Sequence, residues 1–136
     1  MATKAAKAAA KHVVLDQRSP PASVQRHLTH LERSNAPVLV LVHSPGCFHC
    51  LAFRDTWNDI VAALSAKTSM STLDLDASLL DSGSSGLHRN LARSVNGVPY
   101  VALLQADGRL DRFQGERTVT AVLEFVVQRL QNQRRV

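Results

Sequence analysis

The run Pro37-Val38-Leu39-Val40-Leu41-Val42-His43-Ser44-Pro45-Gly46-Cys47-Phe48-His49-Cys50 decides the reading of this chain. Pro37 to Val42 is apolar on both faces, the pattern of a strand buried between two helical layers. Beyond it, Phe53, Trp57, Ile60, Val61 and Leu64 recur at spacings of three and four, which predicts a helix to about Ala66. His43 to Gly46 makes the turn between the two. Cys47 therefore falls at a helix N-terminus, just past the C-terminal end of a buried strand. Unpaired backbone N–H groups and the helix dipole favour a thiolate there. A thiol so placed can drop from about 8.5 to a pKa of roughly 3.5–7.5. Cys47 and Cys50 are the only 2 cysteines of the chain. A low-pKa thiol with a second thiol in reach is a dithiol/disulfide redox couple.

Outward from this stretch the chain alternates strands and helices. On the N-terminal side, His12-Val13-Val14-Leu15 reads as a short strand. Ser19-Pro20-Pro21 starts a helix from Ala22 to about Arg33, with the serine near the cap and proline in the first turn. Val24, Leu28 and Leu31 share one face of it, and Ser34-Asn35 ends it. On the C-terminal side, Met70 to Asp76 reads as a strand in which Leu73 and Leu75 alternate with polar residues. A loop of Asp81-Ser82-Gly83-Ser84-Ser85-Gly86 precedes a short helix from Leu87 to Arg93. Tyr100 to Leu104 and Arg109 to Phe113 form a hairpin about Asp107-Gly108. A last helix from about Thr118 buries Val119, Val122, Leu123, Val126, Val127 and Leu130. The order predicts an α/β fold, a central mixed β-sheet flanked by helices, with a C-terminal β-hairpin and helix.

Composition sets the limits. The 136 residues suffice for one domain with one core, and 45% hydrophobic with 20% charged content is ordinary for a globular chain. We expect a basic Ala/Lys tail over residues 1–11, a folded domain over 12–131 and a basic tail over 132–136. The net charge is +5, and Lys4, Lys7 and Lys11 precede the first acid, Asp16. Arg134 and Arg135 form a second basic cluster with Arg129. Solvated tails explain these charges, and an acidic partner for Lys4, Lys7, Lys11, Arg134 and Arg135 is the sharper reading. No aromatic is interleaved with them, so base stacking is not indicated. No apolar run approaches the ~20 residues of a membrane span, and no secretory h-region opens the chain. A cytoplasmic location is expected, or packaging within a particle or assembly.

Ser44-Pro45-Gly46-Cys47-Phe48-His49-Cys50 resembles the Ala-Pro-Trp-Cys-Gly-His-Cys motif of protein disulfide isomerase domains. Asn96-Gly97-Val98-Pro99 resembles the cis-proline loop of the thioredoxin-like superfamily, and the order of elements from Pro37 to Leu130 is similar too. The resemblance implies a thioredoxin fold. It implies that Cys47 is the exposed attacking thiolate and Cys50 the buried resolving thiol. It implies a cis Pro99 packed against the couple, and substrate contacts from Phe48, Gly97, Val98 and Pro99, with Val98 pairing its backbone to a peptide. An imidazole at His49 would stabilise the Cys47 thiolate and make the couple more oxidising, toward ~−180 mV rather than ~−270 mV. The function implied is an oxidant- or isomerase-type thiol-disulfide oxidoreductase acting on protein thiols or disulfides, with no cofactor.

The chain also departs from the superfamily's pattern. Gly46 replaces the usual aromatic, Leu41 the buried acid, Asp55 the helix-kinking proline and Leu51 the basic residue after the motif. Without the acid, Cys50 is expected to resolve slowly. A second reading, from a different class, follows: a thioredoxin-fold structural or binding module within a larger assembly, such as a particle shell, with an idle dithiol. No metal site is expected, because no second CxxC exists and His27 and His30 lie on another helix. His12, His27, His30 and His88 read as surface or core residues, and His43 as a strand-end packing residue.

Overall fold

A computed structural model describes residues 11–81, 83 and 85–134. The elements follow in the order β1 (His12–Leu15), α1 (Pro21–Arg33), β2 (Val38–His43), α2 (Phe48–Lys67), β3 (Ser71–Asp76), α3 (Gly86–Ser94), β4 (Tyr100–Leu104), β5 (Leu110–Arg112) and α4 (Val119–Arg134). A short 3-10 turn, Ala77–Leu79, follows β3. The sequence does not announce this turn, which the Asp76 carboxylate caps by accepting the Ser78 N–H at 2.9 Å.

The five strands form one sheet in the order β1-β3-β2-β4-β5. β1 and β2 pair parallel with β3, β4 pairs antiparallel with β2, and β5 antiparallel with β4. The sheet is therefore mixed, and β2 runs through its centre. Val38, Val40 and Val42 point to one face, where α1 and α3 bring Val24, Leu28, Leu31, Leu87 and Leu91. Leu39 and Leu41 point to the other, where α2 and α4 bring Phe53, Trp57, Ile60, Leu64, Val122 and Val126. A continuous apolar run is thus the only pattern that satisfies both layers.

Local chemistry sets the boundaries, not always by the residue expected. The N-cap of α1 is Pro20, without a side-chain cap. Ser19 instead accepts the Asp16 N–H with its hydroxyl at 3.0 Å, closing the preceding turn. The Pro20 carbonyl takes the N–H groups of Ser23 and Val24. Asn35 follows α1 with φ 55°, and Gly108 sits in the hairpin turn at φ 92°, where a side chain would be strained. Gly83 lies against the buried His88 ring, leaving no room for a Cβ. His88 in turn bonds the Leu79 carbonyl through Nε2. Helix α4 runs to Arg134, three residues into the stretch 132–136 read from sequence as a tail. Lys4, Lys7 and Arg135 lie outside the described residues. No helix among the described residues is long and apolar enough to cross a membrane.

The polar residues of β3 are not on a wet face. Thr72, Asp74 and Asp76 are all buried beside Leu73 and Leu75. Asp74, only 3% exposed, lies opposite Leu41 of β2 in the register. It meets His43 Nε2 at 2.6 Å and Arg54 Nη1 at 2.7 Å. Burial alone would raise the Asp74 pKa, but the hydrogen bonds and charges of His43 and Arg54 outweigh it and hold the carboxyl below its usual range. Next to this pair, His12 bonds Thr72 Oγ1 through Nδ1 at 2.7 Å. Burial lowers the His12 pKa, with the Asp74 charge opposing and Arg54 reinforcing.

Two stability measurements follow. Ile60 is fully buried under α2 while Val127 is half exposed, so Ile60→Ala should cost about 2–5 kcal/mol in urea unfolding and Val127→Ala no more than about 0.5. Asp74 has a folded pKa below its unfolded value of about 3.9, so its contribution is full above that pH and is lost as pH falls through the folded pKa. Asp74→Asn should therefore flatten the fall in melting temperature that wild type shows below about pH 4.

Candidate active site

The geometry of the dithiol follows from how a helix begins. The first N–H groups of α2 have no partner within the helix. Cys47 is the N-cap, with φ −86° and ψ 120°, and its sulfur accepts the N–H of Cys50, the third helical residue, at 3.1 Å. A serine or aspartate at an N-cap makes the same bond with oxygen. The Ser44 carbonyl accepts the Cys47 N–H at 3.2 Å, and the Cys47 carbonyl starts the helical ladder by accepting from Leu51 at 3.0 Å. The two sulfurs share one helix end, both as free thiols.

Their environments separate them. Cys47 is partly exposed and Cys50 is buried at 5%. The Cys50 S–H bonding to the Cys47 sulfur is the largest cause lowering the Cys47 pKa. Partial burial opposes this. The backbone N–H groups of Cys50 and His49 and the charge of Arg117 add to it. Cys50 is pushed up to about 11, first by burial and then by giving its hydrogen bond to Cys47, although the Ser44 backbone N–H bonds its sulfur and pulls the other way. One thiol is set up to ionise and the other to keep its proton.

The remaining sequence candidates fall around this pair. The Val98–Pro99 peptide bond is cis, and the Val98 carbonyl lies 3.8 Å from the Cys47 sulfur. Gly97 is exposed beside it, with Val98 and Pro99 half-buried. Phe48 is 77% exposed and Leu51 65%, an apolar patch on the open side of Cys47. His49 acts on Cys47 through its backbone N–H, and its imidazole packs edge-on against Phe48, centroids 5.8 Å apart. Among the described residues, no group of three or more His, Cys, Asp or Glu is placed to hold a metal ion.

Sequence reasoning missed Arg117. It lies in the segment between β5 and α4 and acts on both thiols. With Arg112, Phe113, Gln114, Gly115, Val101 and Pro99 it lines a cleft of about 260 Å³. Arg112 rests over the Tyr100 ring at 5.9 Å from the centroid. A lone arginine before a helix has no spacing signal tying it to a cysteine seventy residues earlier. It reaches the site only because β4 and β5 fold back beside β2.

No family model matches the chain. A stretch of 104 residues, 76% of the chain, is 32% identical to bloodstream-specific protein 2 of Trypanosoma brucei brucei. The chain spans only 19% of that relative's length. Among solved structures, the J-Trx1 fragment of ERdj5 superposes with a TM-score of 0.62 at 19% identity, covering 88% of this chain and 52% of that one. The first thioredoxin domain of mouse protein disulfide-isomerase A4 gives 0.54 at 19% identity, over 85% of this chain and 72% of that one. With a five-stranded mixed sheet, a CxxC capping the helix after its central strand and these superpositions, the chain has the thioredoxin fold.

Proposed function

We propose that the chain is a thiol-disulfide oxidoreductase of the oxidant or isomerase type, acting on protein thiols and disulfides through Cys47 and Cys50. One observation carries this reading: the Cys47 sulfur caps α2 by accepting the Cys50 N–H at 3.1 Å, with the Cys50 thiol at the same helix end helping to lower its pKa. That arrangement favours a thiolate, and stabilising the reduced form makes the corresponding disulfide a better oxidant. The disulfide-isomerase domain among the structural neighbours supports the same reading by analogy.

In the oxidising direction, a substrate thiolate attacks the Cys47 sulfur of the intramolecular disulfide. The Cys47–Cys50 bond breaks, and Cys50 leaves with the electron pair and takes a proton. A second substrate thiolate then attacks the mixed disulfide at the substrate sulfur, and Cys47 leaves as the stabilised thiolate. Substrate gains a disulfide and loses two electrons, and the protein ends as a dithiol. An extended segment would pair with the Val98 backbone as a short strand. Phe48 and Leu51 give apolar contact, and Arg117 favours negative charge at the sulfurs.

Equilibration in glutathione buffers, with trapping of free thiols, tests the reading. A reversible Cys47–Cys50 disulfide is expected, nearer the isomerase value of about −180 mV than thioredoxin's about −270 mV. Failure to form that disulfide reversibly would favour the structural-module reading instead. The Arg117→Gln variant should raise the Cys47 pKa, read from thiolate absorbance against pH, and move the potential in the reducing direction. His49→Ala should leave the Cys47 titration near wild type, because the backbone N–H remains.

A further inference from the structure

We propose that β1 and the basic cavity beside it bind an acidic, extended peptide segment of a partner protein, which joins the sheet as a further strand. The inference stands apart from the dithiol reading.

β1 ends the sheet. It pairs with β3 on one side, and no strand among the described residues lies on the other. The Lys11 carbonyl accepts the Thr72 N–H at 2.9 Å, and in the parallel register Val13 and Leu15 continue that ladder. The N–H and C=O groups of His12 and Val14 therefore point away from the sheet. An open row of this kind takes up an extended chain by main-chain pairing. The Val14 side chain, 52% exposed, stands beside it. Val13 and Leu15 turn to the other face, into the core under α1.

A cavity of about 780 Å³ adjoins this edge. Lys11, His12 and Val14 contribute to one wall, and His27, His30 and Leu31 of α1 to another. It reaches Val38, the first residue of β2, so it lies at the opposite end of that strand from the turn that carries Cys47. Every titratable side chain in its lining is basic: Lys11, His12, His27 and His30. The carboxylates on the neighbouring elements are already engaged. Asp74, whose charge acts on His12, pairs with His43 and Arg54. Glu32 accepts the Leu87 N–H at the start of α3, and Asp16 accepts the Arg18 N–H. Arg26 and Arg33 add positive charge to α1, and Lys67 closes α2 just before the lining residue Ser69. In the sequence, Lys4 and Lys7 precede Lys11 with no acid before Asp16.

These features select a peptide among acidic partners. Only a peptide can pair with the β1 main chain, and no Phe, Tyr or Trp lines the cavity to stack on a base. An added strand alternates its side chains between the two faces. One set comes to the side of His27 and His30, the other to the side of Val14, so a segment alternating acidic with apolar residues fits. His27 Nδ1 donates to the Ser23 carbonyl at 2.8 Å, which leaves Nε2 as the nitrogen that can gain a proton. A carboxylate brought against an imidazole favours its charged form, so binding takes up protons.

The test is titration of the isotope-labelled full chain with the peptides Glu-Val-Glu-Val-Glu, Gln-Val-Gln-Val-Gln and Lys-Val-Lys-Val-Lys, and with a single-stranded oligothymidine. Amide shifts locate binding and calorimetry measures it. The glutamate peptide should bind saturably, with shifts centred on the His12 and Val14 amides and none over Phe48 to Leu51. The glutamine peptide should bind about tenfold more weakly and the lysine peptide not measurably. Binding of the glutamate peptide should tighten from pH 8 to pH 6 with proton uptake, and the His27→Gln, His30→Gln double variant should lose that dependence. Val14→Pro removes an outward N–H and no bond to β3, so it should abolish binding while the Cys47 titration stays near wild type. Should that variant fail to fold, the location of the shifts in wild type decides. Equal affinity for the three peptides, shifts confined to the dithiol face, or no binding of the glutamate peptide at about 1 mM would overturn the proposal. Tighter binding of the oligothymidine would overturn it too, in favour of nucleic acid.

Discussion

The hydrogen bond from the Cys50 N–H to the Cys47 sulfur is the constraint on which the site depends. A helix end must place its free N–H groups, and the acceptor at an N-cap meets the third helical residue. A sulfur in that role is drawn toward the thiolate, and a cysteine as the third residue brings a second sulfur to the same end. The two-residue gap of the motif is thus the N-cap spacing itself. Capping chemistry and redox chemistry use one arrangement.

That helix end is held in place by the double-sided burial of β2. Valines on one face and leucines on the other fix the strand between two helical layers. The strand's last residue, His43, passes directly into the turn that carries Cys47. Large displacement of Cys47 from the Val98 carbonyl would therefore disturb both layers of the core. The apolar cover over α2 also sets the asymmetry of the thiols, because burial penalises the Cys50 thiolate while Cys47 stays at the surface.

Within this apolar design the buried carboxylate of Asp74 is held by two partners of its own. Leu41 occupies the position where the sequence resemblance leads one to look for an acid, and the acid is present one strand over, at Asp74. An isolated carboxylate there would cost several kcal/mol. Two partners, one from β2 and one from α2, make it tolerable. The Leu73/Leu75 alternation reads as a strand with one wet face because it reports residue type, not cover. Helix α2 supplies the cover and Arg54 the compensating charge, and neither is adjacent in sequence.

Much of the fold is legible in the residues alone: the element order, the central strand, the buried faces of α1 and α2, and the placement of Cys47 at a helix start. Each depends on contacts within a few residues, where periodicity and capping rules act directly. The α1 cap is not legible in this way, because Ser19 has two local uses and the turn takes it. Nor is the His49 backbone N–H that meets the Cys47 sulfur, which the motif does not announce. By itself the sequence determined the α/β order, the dithiol and its seat on α2, since these follow from short-range pattern. Only the tertiary structure decided that Val98 and Arg117 meet the thiols and that Asp74 pairs with His43 and Arg54, because strand pairing and helix cover join residues whose separation along the chain carries no signal.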